Sequence, residues 1–99
     1  MSHSAQAAHA LLQRGDLDGA LAAFESMLTD TPRDIAGLAG YASALRRAGR
    51  MSEALAQWRK ALECAPEDPG LYFNQANTLR AAGQLSDAEQ GYQRALQFE

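Results

Sequence analysis

Apolar side chains recur along this chain with helical spacing. Leu38, Tyr41, Ala42 and Leu45 fall at i, i+3, i+4 and i+7, which puts them on one stripe of a helix. A second stripe follows at Ala54, Trp58, Ala61 and Leu62. It is written again at Ala20, Phe24, Met27 and Leu28, and at Ala88, Tyr92, Ala95 and Leu96. Ahead of each copy stands a near-identical phrase: GDLDGALAAF from Gly15, GRMSEALAQW from Gly49 and GQLSDAEQGY from Gly83. The three glycines are 34 residues apart, as are Ala20, Ala54 and Ala88. A fixed period of this length means one structural unit repeated.

Each unit reads as two helices, here called A and B. Helix A ends ahead of its glycine, a residue able to take the left-handed conformation that closes a helix. Asp18, Ser52 and Ser86 are predicted to cap the start of helix B, because a side-chain oxygen there can accept from the orphan amides of the first turn. Ser86 and Glu89 have the spacing of a capping box. Helix B is expected to stop near Pro32 and Pro66, since proline removes an amide and disfavours helix in the residue before it. Asp34 and Asp68 then cap the next helix A, with Pro69 at its first position, where a missing amide costs nothing. Ala8, Ala42 and Ala76 are predicted to face Ala20, Ala54 and Ala88, so that two backbones approach closely while Phe24, Trp58 and Tyr92 fill the space beside them.

Taken together, the period of 34, the Gly and Ala of the turn region, the aromatic residues Phe24, Trp58 and Tyr92 and the closing prolines Pro32 and Pro66 resemble the tetratricopeptide repeat family. Leu38 and Tyr72 match the large residues early in helix A. The resemblance covers the whole chain. It implies an all-α, right-handed solenoid of three antiparallel helix-turn-helix units, six helices in all, over residues 1–34, 35–68 and 69–99 of one domain. Departures are mild: Ser4 stands where a large apolar residue is usual and Met27 where a small one is usual. The third unit reaches Glu99 without its closing proline, and no further helix follows to cover its apolar face, a role that terminal caps fill in solenoids. The expectation is either that the chain is cut from a longer protein or that its open end packs on another copy.

The family consists of binding scaffolds in which the A helices line a concave groove for a peptide or a helix. Helix geometry puts Ala5, His9, Leu12 and Gln13, then Ala39, Ser43, Arg46 and Arg47, then Phe73, Asn77, Arg80 and Ala81 on the groove side, away from the core stripe. Arg46, Arg47 and Arg80 can fork onto carboxylates or be solvated surface charges, and Asn77 can meet a peptide backbone or simply be a polar surface residue. Phe73 and Leu12 are read as anchors for an apolar side chain, with packing between A helices as the other role for Phe73. The implied ligand is a peptide with acidic residues. Family members that grip the C-terminal carboxylates of heat-shock chaperones use lysines, asparagines and an arginine from successive A helices. The matching positions here are Ala5 and His9, Gly40 or Ser43, and Gly70 and Asn74, and Asn74, itself a candidate groove residue, stands where arginine is expected. Chaperone-tail binding is therefore not expected.

Composition narrows the function further. The chain is 46% hydrophobic, with a formal charge of −3 from 9 basic and 12 acidic residues. Such a balance argues against a general nucleic-acid binder, which needs a basic excess to neutralise phosphates. Cys64 is the single cysteine, so no intramolecular disulfide can form and a cytoplasmic setting is the expectation. The start has neither a basic segment nor a long apolar run, and no stretch approaches the length of a spanning helix, so neither a secretory signal nor a membrane anchor is expected. His3 and His9 do not face one another on a helix, Cys64 has no histidine in its unit, and no phosphate loop or paired-carboxylate motif occurs. The reading is a non-enzymatic interaction module with no cofactor or metal and with a protein or peptide partner. Self-association through the last unit, and service as the leading module of a larger enzyme such as a transferase, are the alternatives.

Overall fold

The helical stripes become six helices among the residues described. A computed structural model, describing residues 5–99, contains α1 (Ala5–Gln13), α2 (Leu17–Asp30), α3 (Ile35–Arg47), α4 (Met51–Cys64), α5 (Pro69–Ala81) and α6 (Leu85–Phe98). The reading of Ser4 lies outside the described residues. Odd-numbered helices are the A helices and even-numbered ones the B helices. Each A helix packs against the B helix that follows it, and each B helix against the next A helix. Pairs added in one direction give a body 39 Å along its longest axis and 19 Å across its shortest.

The turn inside each unit is set by backbone chemistry. Gly15, Gly49 and Gly83 have φ of 78–81°, a region that costs glycine little because it has no Cβ. In each turn the glycine N–H donates to the carbonyl three residues back, as Gly49 does to Arg46 at 3.0 Å, and the next N–H reaches five back, as Arg50 does to Leu45 at 2.9 Å. This double bond pattern satisfies the orphan carbonyls of helix A. It also decides where helix B starts, and here the expectation is corrected. Asp18, Ser52 and Ser86 lie inside the first turn, and the caps are Asp16, Arg50 and Gln84, the residues straight after the glycines. Asp16 accepts from the Gly19 amide at 2.9 Å. Arg50 and Gln84 make no side-chain cap bond, and the Ser86–Glu89 box does not form. One residue closes the outgoing helix and opens the incoming one, so backbone geometry overrides side-chain capping preference. Asp18, Glu53 and Asp87 still favour the positive end of the helix dipole.

Between units the caps are the predicted ones. Asp34 accepts from the Gly37 amide at 3.0 Å, and Asp68 accepts from Gly70 at 2.9 Å and Leu71 at 3.3 Å. α2 and α4 end at Asp30 and Cys64, two residues ahead of Pro32 and Pro66. The alanine seams are real: Ala8, Ala20, Ala42, Ala54, Ala76 and Ala88 are all buried.

The units are joined by an aromatic ring on each of the first two B helices meeting the next A helix. Phe24 of α2 sits so close under Gly40 of α3 that an added Cβ would overlap the ring. Trp58 of α4 packs with Leu38, Ala42 and Leu71, and its indole N–H donates to Thr78 Oγ1 of α5 at 2.9 Å. Thr78 in turn donates to the Asn74 carbonyl at 3.0 Å. It is a polar residue with 0% exposure, so this bond matters.

Two outcomes follow from this packing. Thr78→Val keeps the shape but leaves the buried indole N–H unpaired, which costs about 1–3 kcal/mol. Urea denaturation followed by Trp58 fluorescence reads that loss, and an unchanged midpoint would show the bond to be dispensable. On the opposite side, the Tyr41 hydroxyl donates to Glu25 at 2.8 Å. Burial, then the bond to Glu25, pushes its pKa from 10.0 up to about 12. The folded value lies above the unfolded one, so this contribution is intact below pH 10.0 and is lost as the pH rises through about 12. Thermal melts across that window should show stability falling less steeply in Tyr41→Phe than in the wild type.

Candidate functional site

The side chains predicted for the groove divide into three groups once placed. Those on the outer face of the A helices stay available: Gln13, Arg46, Asn74 and Arg80 are exposed, and Ser43 is half-buried. Ala81 is exposed and Ala5 and Ala39 are half-buried, small residues that leave room beside their neighbours. Arg46 and Arg47 close α3 and Arg80 closes α5, where a cation also complements the negative end of the helix dipole.

A second group is engaged by the fold. Half-buried His9 stands edge-on to Phe24, with ring centroids 5.2 Å apart at 80°. Asn77 accepts the Tyr92 hydroxyl on its Oδ1, so it offers a partner its NH2 donor. Arg47 spans two units, its Nη1 donating to the Leu12 carbonyl at 3.2 Å. Leu12 itself is a correction. Its side chain is 6% exposed and belongs to the core with Ala8, Phe24 and Leu45, so it cannot anchor a ligand. The reason is chemical: Leu12 is the apolar counterpart of Arg46 and Arg80 in the repeat, and it packs into the core while the charged side chains at that position stay exposed.

Charge is unevenly compensated on this surface. Among the described residues the ion pair is Arg50 with Glu53, where Arg50 Nε also donates to Glu53 Oε1 at 3.1 Å. That hydrogen bond raises the Arg50 pKa and holds the Glu53 carboxyl below its usual range. Arg46 and Arg80 take no part in it, and they stand at equivalent positions 34 residues apart on neighbouring A helices.

The third group is apolar. Phe73 is 50% exposed and rests on Tyr92, with centroids 5.7 Å apart at 61°. It lines a pocket of about 480 Å³ with Pro69, Gly70, Tyr92, Ala95 and Leu96, and Glu99 closes the rim. Sequence reasoning assigned Tyr92, Ala95 and Leu96 to a core stripe. The repeat itself held the missing signal, because Phe24, Met27 and Leu28 occupy the same positions under α3, and the third unit has no such helix among the described residues.

No helix of the described residues is long and apolar enough to cross a membrane, and no group of three or more His, Cys, Asp or Glu among them is placed to hold a metal ion.

Comparison with known proteins bears directly on this arrangement. Family models described as tetratricopeptide repeat match residues 6–70 and 58–90. A search of curated proteins finds no match. Among solved structures, the first such module of Spaghetti (RPAP3), bound to the HSP90 peptide SRMEEVD, is similar with a TM-score of 0.89 at 19% identity, over 100% of this chain and 82% of that one. The TPR2B domain of yeast Sti1 in its pHsp70 complex gives a TM-score of 0.86 at 24% identity, over 92% of this chain and 73% of that one. A crystal structure of MamA gives 0.88 at 14% identity, over 99% of this chain and 60% of that one. Across the MamA structures the chain spans 52–67% of their length. At these identities the likeness is one of fold.

Proposed function

From the premise that the chain belongs to the tetratricopeptide repeat family, whose domains are generally non-catalytic protein-interaction modules, we propose that it is a cytoplasmic scaffold holding an acidic peptide segment along its A helices. Residues 1–34, 35–68 and 69–99 are its three repeats. The observation that carries the reading is the pair Arg46 and Arg80, exposed, equivalent in the repeat and without an acidic partner among the described residues. A guanidinium in that state can fork onto a carboxylate, and two in register suit a ligand with two separated acids. Ser43, Asn77 through its NH2, Asn74, Gln13 and half-buried His9 supply polar contacts along the same side. Arg47 contributes less, since the Leu12 carbonyl already occupies one of its donors.

The chaperone peptide held by the RPAP3 module is also acidic. The chain departs from the residues that grip such tails, with Ala5, Gly40 and Gly70 at matching positions and Asn74 in place of an arginine. The proposed ligand is therefore read by Arg46 and Arg80, with no requirement for a free C-terminal carboxylate. Self-association is a second reading, favoured by the exposed apolar pocket around Phe73 and Leu96.

A fluorescein-labelled peptide with two glutamates flanking a leucine serves as the probe, read by anisotropy at low and moderate salt. The wild type should bind, more weakly as salt screens the charges. Arg46→Glu combined with Arg80→Glu should weaken binding at least tenfold, about 1.4 kcal/mol, while circular dichroism shows the helices intact. Equal affinity of wild type and variant would reject the assignment. Because both arginines also favour helix C-termini, Arg46→Gln with Arg80→Gln is the control for stability.

A further inference from the structure

The pocket on the third unit is the unfilled copy of a joint that the chain makes twice. At the first joint, Phe24, Met27 and Leu28 of α2 lie beneath α3. A Cβ added at Gly40 would overlap the Phe24 ring, and one added at Gly37 would overlap the Met27 methyl and come within 3.2 Å of Leu28 Cδ2. At the second, Trp58, Ala61 and Leu62 of α4 lie beneath α5 against Leu71, with Thr78 on the indole. The equivalent residues of α6 are Tyr92, Ala95 and Leu96. Leu28 and Leu62 are half-buried, whereas Leu96 is 67% exposed. The other half of the joint is also on this chain and, among the described residues, also uncovered. On α1, Gln6 and Ala10 stand where α3 has Gly40 and Ala44 and where α5 has Asn74 and Thr78, and both are exposed.

We propose that a second copy of this chain seats its α1 in the pocket between α5 and α6, head to tail, repeating the internal joint. Ala10 of the incoming copy takes the place that Thr78 holds against Trp58, lying over the Tyr92 ring. Gln6 takes the place of Asn74, a carboxamide already accommodated there on the second joint. Pro69, Gly70 and Phe73 border the seat, and Leu96 is covered as Leu28 and Leu62 are. The fit is one of shape: bulky side chains line the socket, and the entering face carries an alanine one turn from a flexible amide. Because the two surfaces differ, the contact is heterologous, and each added copy offers a new socket. Association therefore continues past the dimer as concentration rises. The inference rests on the self-association reading and not on the acidic-peptide one, since neither Arg46 nor Arg80 takes part.

Two substitutions block opposite ends at exposed positions. Leu96→Glu closes the socket and Ala10→Arg closes the entering face. Sedimentation velocity from micromolar to millimolar concentration should show the wild type growing beyond a dimer and each variant remaining monomeric, with helical content unchanged by circular dichroism. An equimolar mixture of the two variants should give a discrete one-to-one dimer, because one retains its socket and the other its entering face. A wild type that stays monomeric throughout overturns the proposal and leaves the socket to another helix. Assembly of Ala10→Arg like the wild type also overturns it, since the contact would then join socket to socket. Loss of acidic-peptide binding by the arginine variants has no bearing on either result.

Discussion

Phe24, Trp58 and Tyr92 each extend from a B helix further than their own unit can cover, and the rest of the molecule is arranged around that fact. A ring of this size stabilises a fold only when packed on several sides. The partner A helix covers one side, and the next unit must supply another. Gly40 meets this need at the first joint by having no side chain, and Thr78 meets it at the second with a hydroxyl that satisfies the indole. The two solutions differ in chemistry and share a shape. Stacking is therefore a property of each joint, as expected for a solenoid whose stability is a sum of units and nearest-neighbour contacts.

The turns hold this arrangement in register. A glycine at positive φ closes helix A, and the residue after it opens helix B, so no slack separates the helices of a unit. With both ends fixed, the alanine seam brings the backbones together and leaves part of the outer face of each A helix free of packing duties. That freedom lets Arg46 and Arg80 remain exposed. Where the outer face does carry a structural contact, as between Arg47 and the Leu12 carbonyl, it ties one A helix to its neighbour.

Much of this was legible in the residues. The 34-residue spacing of Gly15, Gly49 and Gly83 identified the unit, and Asp34, Asp68 and Pro69 marked helix starts that the structure has. The caps at Asp18, Ser52 and Ser86 were misplaced because side-chain preference is a weak local term beside the hydrogen bonds of the glycine turn. Leu12 was placed on the outer face because it shares a repeat position with Arg46 and Arg80, but its apolar side chain packs into the core where theirs stay exposed. The socket at Tyr92 and Leu96 was hidden because a stripe reads the same whether or not another helix covers it. Engagement of His9 by Phe24 and of Asn77 by Tyr92 depends on contacts between helices that the pattern along one helix does not encode.

Outer A-helix residues, and exposed Arg46 and Arg80 above all, are the proposed ligand-binding surface. Titrating an isotopically labelled sample with an acidic peptide and following backbone amide shifts by NMR tests this directly. Shifts clustered at His9, Ser43, Arg46, Asn77 and Arg80, on three different helices, are the predicted result. Shifts confined to Gly70, Ala95 and Leu96, or spread over the B helices with the arginine positions still, would contradict it.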